Sequence, residues 1–141
     1  MGFLNIKKIV VGILSLVVIV GGLGIAKISN AYNISESELQ VHKITASEAK
    51  NMMDLEKVRI LDVRTPEEYA TGHIKDAENL PLMEIVNNNF ATIKDKDAII
   101  LVYCRSGSRS AKAARLLAKA DYKHIYDFGG IIDWPYRIVE D

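Results

Sequence analysis

From Val41 onward the chain alternates short apolar runs with helical patterns, the order expected of parallel strands joined by crossover helices in an α/β fold. Val41 to Ile44 predicts a short strand. Thr45-Ala46-Ser47-Glu48 then has the spacing that lets Thr45 and Glu48 satisfy each other's backbone donors, and a helix follows to about Leu55. Arg59 to Val63 predicts a buried strand. Thr65-Pro66-Glu67-Glu68 repeats the capping spacing with proline at the first helical position, and that helix stops at Gly72. His73 to Pro81 reads as a loop, Met83 to Phe90 as helical, and Lys94 to Asp97 as a charged turn. Ala98 to Tyr103 carries no charge, which predicts a central strand covered on both faces. Ser110 to Ala120 is helix-forming, with Ala111, Ala114, Leu117 and Ala118 along one face. His124 to Phe128 forms the last strand, Gly129-Gly130 breaks it, and a short helix around Trp134 comes next.

The amino-terminal segment has a different pattern. Lys7 and Lys8 precede an uncharged run from Ile9 to Ala26, closed by Lys27. As a helix rising ~1.5 Å per residue, that run reaches roughly 27 Å, enough to cross the hydrocarbon core of a bilayer. It has no polar face to leave in water, which argues against packing on a soluble core. Two assignments fit residues 1–31: an uncleaved transmembrane anchor, favoured by length, and a signal peptide, favoured by Ser29-Asn30-Ala31. Either one keeps Lys7 and Lys8 inside and exports the chain after Tyr32. The expectation is an extracytoplasmic domain, membrane-anchored or secreted. Residues 32–40 are polar and acidic and read as a linker, leaving residues 41–141 as one domain.

Composition narrows the chemistry. Lys plus Arg and Asp plus Glu each total 18, so the net charge is zero and nothing draws the chain to nucleic acid. Cys104 is the single cysteine, which rules out an intrachain disulfide. His42, His73 and His124 lack ligand spacing, so neither a metal nor another cofactor is expected.

Strand, then Cys104-Arg105-Ser106-Gly107-Ser108-Arg109, then helix places this cysteine at the carboxyl end of a central strand, where open parallel sheets bind ligands. A tight loop feeding a helix amino terminus turns backbone N–H groups inward, and with the helix dipole they favour an anion, here the sulfur as thiolate. Arg105 and Arg109 add positive charge. Two arginines, a glycine and serines suit an anion cradle and make a poor core.

Several separated motifs then resemble the rhodanese family, in order. Leu61-Asp62-Val63-Arg64 with Pro66-Glu67-Glu68-Tyr69 is similar to its D-V-R-x-x-x-E-[FY] segment, and Gly72-His73-Ile74 with Ala77, Asn79 and Pro81 to its G-H-I-x-x-A-x-N-x-P loop. Cys104 to Arg109 resembles its active-site loop, and Gly129-Gly130 with Trp134 its terminal G-G-x-x-x-W. The resemblance implies a three-layer fold, a central parallel sheet flanked by helices. It also implies double displacement: a thiosulfate-like donor loads Cys104 as a persulfide, and a thiol or cyanide takes the sulfur. Cys104 would be the nucleophile, and Arg105, Ser106, Gly107, Ser108 and Arg109 would bind substrate. Asp62 and Arg64 would brace the loop, with His73 and Trp134 as scaffold. Ile131-Ile132-Asp133 and Pro135 depart from the aromatic-rich end common in the family.

Three activities are compatible with this site. The first is an exported sulfurtransferase. The second is a sulfur-relay or protein-binding module at the membrane, which passes sulfur to one protein acceptor. The third, a phosphatase or arsenate reductase, is disfavoured, because the loop is one residue shorter than the phosphate-holding loops of the related phosphatases.

Overall fold

The computed structural model describes residues 41–140. Its elements run β1 (Val41–Lys43), α1 (Ala46–Leu55), β2 (Val58–Asp62), α2 (Pro66–Ala70), β3 (His73–Ile74), β4 (Ala77–Asn79), α3 (Leu82–Val86), β5 (Ile99–Cys104), α4 (Ser108–Lys119), β6 (His124–Gly130) and β7 (Ile138–Val139). Five strands make one sheet in the order β1-β6-β5-β2-β4, with every pairing parallel. β3 and β7 form a separate antiparallel pair. The expected transmembrane or signal segment of residues 1–31 and the expected linker of residues 32–40 lie outside the described residues. Among the described residues no helix is long and apolar enough to cross a membrane.

The period-2 geometry of a strand sorts β5 into two cores. Ile100, Val102 and Cys104 join Leu61, Val63, Ala113, Ala114 and Leu117 on the α3–α4 face. Leu101 and Tyr103 join Ala49, Ile60, Ile74, Phe128 and Trp134 on the α1 face. Each fully buried Leu or Ile contributes roughly 1.5–3 kcal/mol of transfer free energy, and burial on both faces is why the uncharged run is central.

Both capping boxes form, Thr45 with Glu48 and Thr65 with Glu68. Several boundaries differ from the pattern along the chain, four of them away from the cysteine loop's helix, each for a physical reason. The stretch from His73 to Pro81 is not all loop: Ala77, Glu78 and Asn79 pair with Ile60, Leu61 and Asp62 as an edge strand. α3 stops at Val86 because an asparagine run follows, with Asn88 in the left-handed region at φ 58°. Gly129-Gly130 do not end β6, which continues until Gly130 pairs with Cys104. No α-helix forms around Trp134; a 3-10 turn covers Ile131–Asp133, and Pro135 holds Trp134 extended at ψ 111°.

The chain leaves β2 toward β4 on one side of the sheet and β5 toward β6 on the other. The carboxyl ends of β2 and β5 therefore flank the switch point of the sheet, the crevice where such folds bind ligands.

Candidate active site

Cys104 closes β5, and α4 opens at Ser108, two residues earlier than the helical pattern predicts. That shift puts Ser108 and Arg109 in the first turn of α4, behind Gly107 as its N-cap. Gly107 has φ 100°, a conformation costly for any residue with a Cβ. In it, the Gly107 N–H donates to Cys104 Sγ at 3.0 Å. The first amides of α4 have no intrahelical acceptor, and no side chain caps this helix, so its positive end is left for an anion.

The loop lies closer over the sulfur than its composition suggests. Cys104 is 0 % exposed, while Arg105, Ser106 and Ser108 above it are exposed and Gly107 is half-buried. A sulfur open at the mouth of the sheet is not what the structure has. The side chain is buried as part of the α4-side core, and the loop that follows it is held against β6: Ile132 N–H donates to Arg105 O at 3.2 Å, and Gly130 lies against Arg105 and Ser106.

Asp62 and Arg64 form a buried fork at the end of β2. Arg64 Nε and Nη2 donate to Asp62 Oδ2 at 2.9 and 2.6 Å, and Nη2 also reaches Gly72 O at 2.7 Å. The fork ties β2 to the turn before β3. Tyr103, on the opposite face of β5 from Cys104, accepts from Ile74 N at 3.1 Å, and burial pushes its phenol up. His73 is buried and stacks on Tyr69 with ring centroids 3.8 Å apart. Trp134 packs in the α1-side core with Phe128.

Three residues at the site carry contacts that spacing alone does not reveal. Glu68 grips Arg109 from 41 positions away: Nη1 donates to Oε2 at 2.6 Å and Nη2 to Oε1 at 2.8 Å. Those hydrogen bonds hold the Glu68 carboxyl down at about 2, and they raise Arg109, which also feels the Cys104 sulfur. The same Glu68 caps α2 through Thr65. The other two are Ser110 and Asp127, both buried, whose Oγ and Oδ1 meet at 2.6 Å. Asp127 Oδ1 also accepts from Gly129 N at 3.1 Å, so the first turn of α4 is pinned to the end of β6.

The described residues thus form a three-layer parallel α/β domain with one cysteine beside an arginine-bearing loop at the switch point. Within it, residues 45–135 match the family model of the rhodanese-like domain, and the chain belongs to that family. It is 36% identical over 73 residues to the thiosulfate sulfurtransferase PspE of Escherichia coli (strain K12), covering 52% of this chain and 70% of that one. It is 40% identical over 87 residues to a sulfurtransferase of Allochromatium vinosum, covering 61% and 79%. A rhodanese-like domain protein from Staphylococcus aureus superposes with TM-score 0.63 at 31% identity, over 71% of this chain and 98% of that one. A rhodanese with anions from E. coli superposes with TM-score 0.55 at 32% identity, over 60% and 100%. Sulfur transfer in general is the activity these relatives support.

Proposed function

We propose that this chain moves sulfane sulfur from a thiosulfate-like donor to a thiol or cyanide through a persulfide on Cys104. The Cys104 thiolate attacks the outer sulfur of thiosulfate, the S–S bond of the donor breaks, and sulfite leaves with the electron pair. The acceptor nucleophile then attacks the outer sulfur of Cys104–S–S⁻ and regenerates the thiolate. The observation that carries this reading is the Gly107 N–H at 3.0 Å from Sγ, at the uncapped start of α4. A backbone N–H aimed at this sulfur, with the free amides of α4 behind it, is the donor arrangement that an anionic persulfide sulfur would accept from.

Because Cys104 is wholly buried, loading requires a local opening at the sulfur as the donor enters. The uncapped amides of α4 are the group that would receive the outer persulfide sulfur. Ser106, Ser108 and Arg105, exposed around that point, would meet the donor, and Asp62 with Arg64 would hold β2 beside it. No cofactor enters this scheme.

The hydrophobic run of residues 9–26 supports an extracytoplasmic location for the domain, anchored or released. The relay reading draws on one specific observation. Ile132 is 60% exposed and its N–H is bonded to Arg105 O, so an apolar side chain stands beside the loop where a protein sulfur acceptor would dock.

Incubating the purified full-length protein with thiosulfate should add the mass of one sulfur atom, removable by cyanide. Cys104→Ser should add none. Sulfur retained by that variant, or no addition to the parent from thiosulfate or from a thiosulfonate, would exclude the persulfide route. The intact mass of the protein from its native membrane fraction reports whether residues 1–31 are cleaved.

A further inference from the structure

We propose that Glu68 sets the donor class, favouring singly charged sulfane donors such as thiosulfonates and persulfides over the dianion thiosulfate. The inference rests on the sulfurtransfer reading and refines its substrate.

The charged side chains around the sulfur are largely paired. Arg64 is engaged by Asp62 in the buried fork, and Arg109 by Glu68 in a two-bond fork. Among the described residues, Arg105 is then the cation at the loop without an anionic partner. Asp133, exposed on the turn beside the loop, adds a negative charge at the rim. With Arg64 and Arg109 paired and Asp133 offsetting Arg105, the side chains around the loop sum to about zero even before the thiolate is counted, so little positive charge is spare for an incoming ligand.

Such a site favours the donor with the smaller negative charge, and Glu68, held through Arg109 at the first turn of α4, repels the second charge of a dianion. The Glu68–Arg109 geometry makes this persistent. Both nitrogens of the guanidinium end are engaged, and both side chains are 31% exposed, which limits solvent competition. With its carboxyl held at about 2, Glu68 stays charged at any working pH.

Chemistry at the sulfur does not distinguish the donors. Thiolate plus thiosulfate gives persulfide plus sulfite, and thiolate plus methanethiosulfonate gives the same persulfide plus methanesulfinate. In both, one S–S bond forms, one breaks, and the leaving group takes the electron pair. The two donors are nearly isosteric and differ by one charge, a methyl replacing an anionic oxygen.

Removing the Glu68 charge should therefore help thiosulfate by one charge interaction more than it helps methanethiosulfonate. For charges roughly 6–8 Å apart in partly screened surroundings that increment is about three- to tenfold. Glu68→Gln is the informative variant, because its amide oxygen can still accept from Thr65 N–H and keep the α2 cap.

The test measures second-order rates of persulfide formation by mass, for both donors, with full-length parent and Glu68→Gln protein. The ratio of thiosulfate to methanethiosulfonate rates should rise about three- to tenfold in the variant, and the rise should shrink at high salt. A purely structural role for Glu68 would lower both rates together and leave the ratio where it was, which overturns the inference while sulfur transfer stands. If neither donor loads the parent protein, it is the sulfurtransfer reading that fails. Should Glu68→Gln not fold, Arg105→Gln carries the test. Its ratio should fall by a comparable factor, and an unchanged ratio counts against the proposal.

Discussion

Gly130 marks the tightest contact at the site. A Cβ there would lie 2.3 Å from Arg105 O and 2.7 Å from Ser106 Cα, and both of those are backbone atoms. They cannot retreat freely, because Ile132 N–H holds Arg105 O from the same side. Gly130→Ala should cost about 1–3 kcal/mol through overpacking and displace the loop from the sulfur, so that loading falls roughly tenfold or more. Thermal unfolding and the loading rate measure the two effects separately; a stable variant that loads normally would show that loop position is unimportant. Gly107 is constrained differently. A Cβ there would make ordinary contacts, the nearest at 3.5 Å from Gly129 Cα, and the penalty of Gly107→Ala is the left-handed backbone alone, roughly 1–2 kcal/mol. Alanine at 107 should therefore be tolerated better than alanine at 130, a ranking that parallel denaturation curves decide.

At the scale of elements, the site is the junction of β5, α4 and β6, and Ser110 with Asp127 fastens it. Ser110→Ala would leave the buried Asp127 carboxylate with Gly129 N–H as its remaining hydrogen-bond donor in the structure. The expected loss is about 1–3 kcal/mol, seen as a lower denaturation midpoint with an unchanged slope. No change in midpoint would mean that the pin contributes nothing to stability. Features of this junction differ in how readily the sequence shows them, according to how local their causes are. The helix starts at Thr45 and Thr65 are legible because a capping box is complete within four residues. The central place of β5 is legible because an uncharged run must be covered on both faces. β4 is not, since three residues become a strand only by pairing with β2, and nothing in Ala77-Glu78-Asn79 announces that partner. Ser110 with Asp127 and Glu68 with Arg109 lie 17 and 41 positions apart, beyond any periodicity. The polar composition of Cys104 to Arg109 suggests an anion cradle. It could not reveal that the loop lies against β6, because that close approach depends on Gly130, far along the chain.

Across the whole molecule the charges cancel, so pH dependence comes from individual pairs. The folded Glu68 carboxyl sits at about 2 against an ordinary 4.5, held down first by Arg109. A depressed carboxylate contributes stability that is fully present above the unfolded value and is lost as pH falls through the folded one. Stability should therefore decline between about pH 4.5 and 2, and Glu68→Gln should flatten that decline. Denaturant titrations at a series of pH values check it; parallel curves for parent and variant would place the acid sensitivity elsewhere. The same neutrality leaves the loop's own donors and Arg105 to attract substrate, and this makes the fate of a single sulfur atom the central question. Mixing the protein with thiosulfate and no acceptor, and counting the sulfite released, tests it most directly. A carrier sulfur at position 104 predicts a burst of one sulfite per protein that then stops, and no burst from Cys104→Ser. Sulfite that appears only once an acceptor is present would mean direct transfer between the two substrates, and the persulfide account would be wrong.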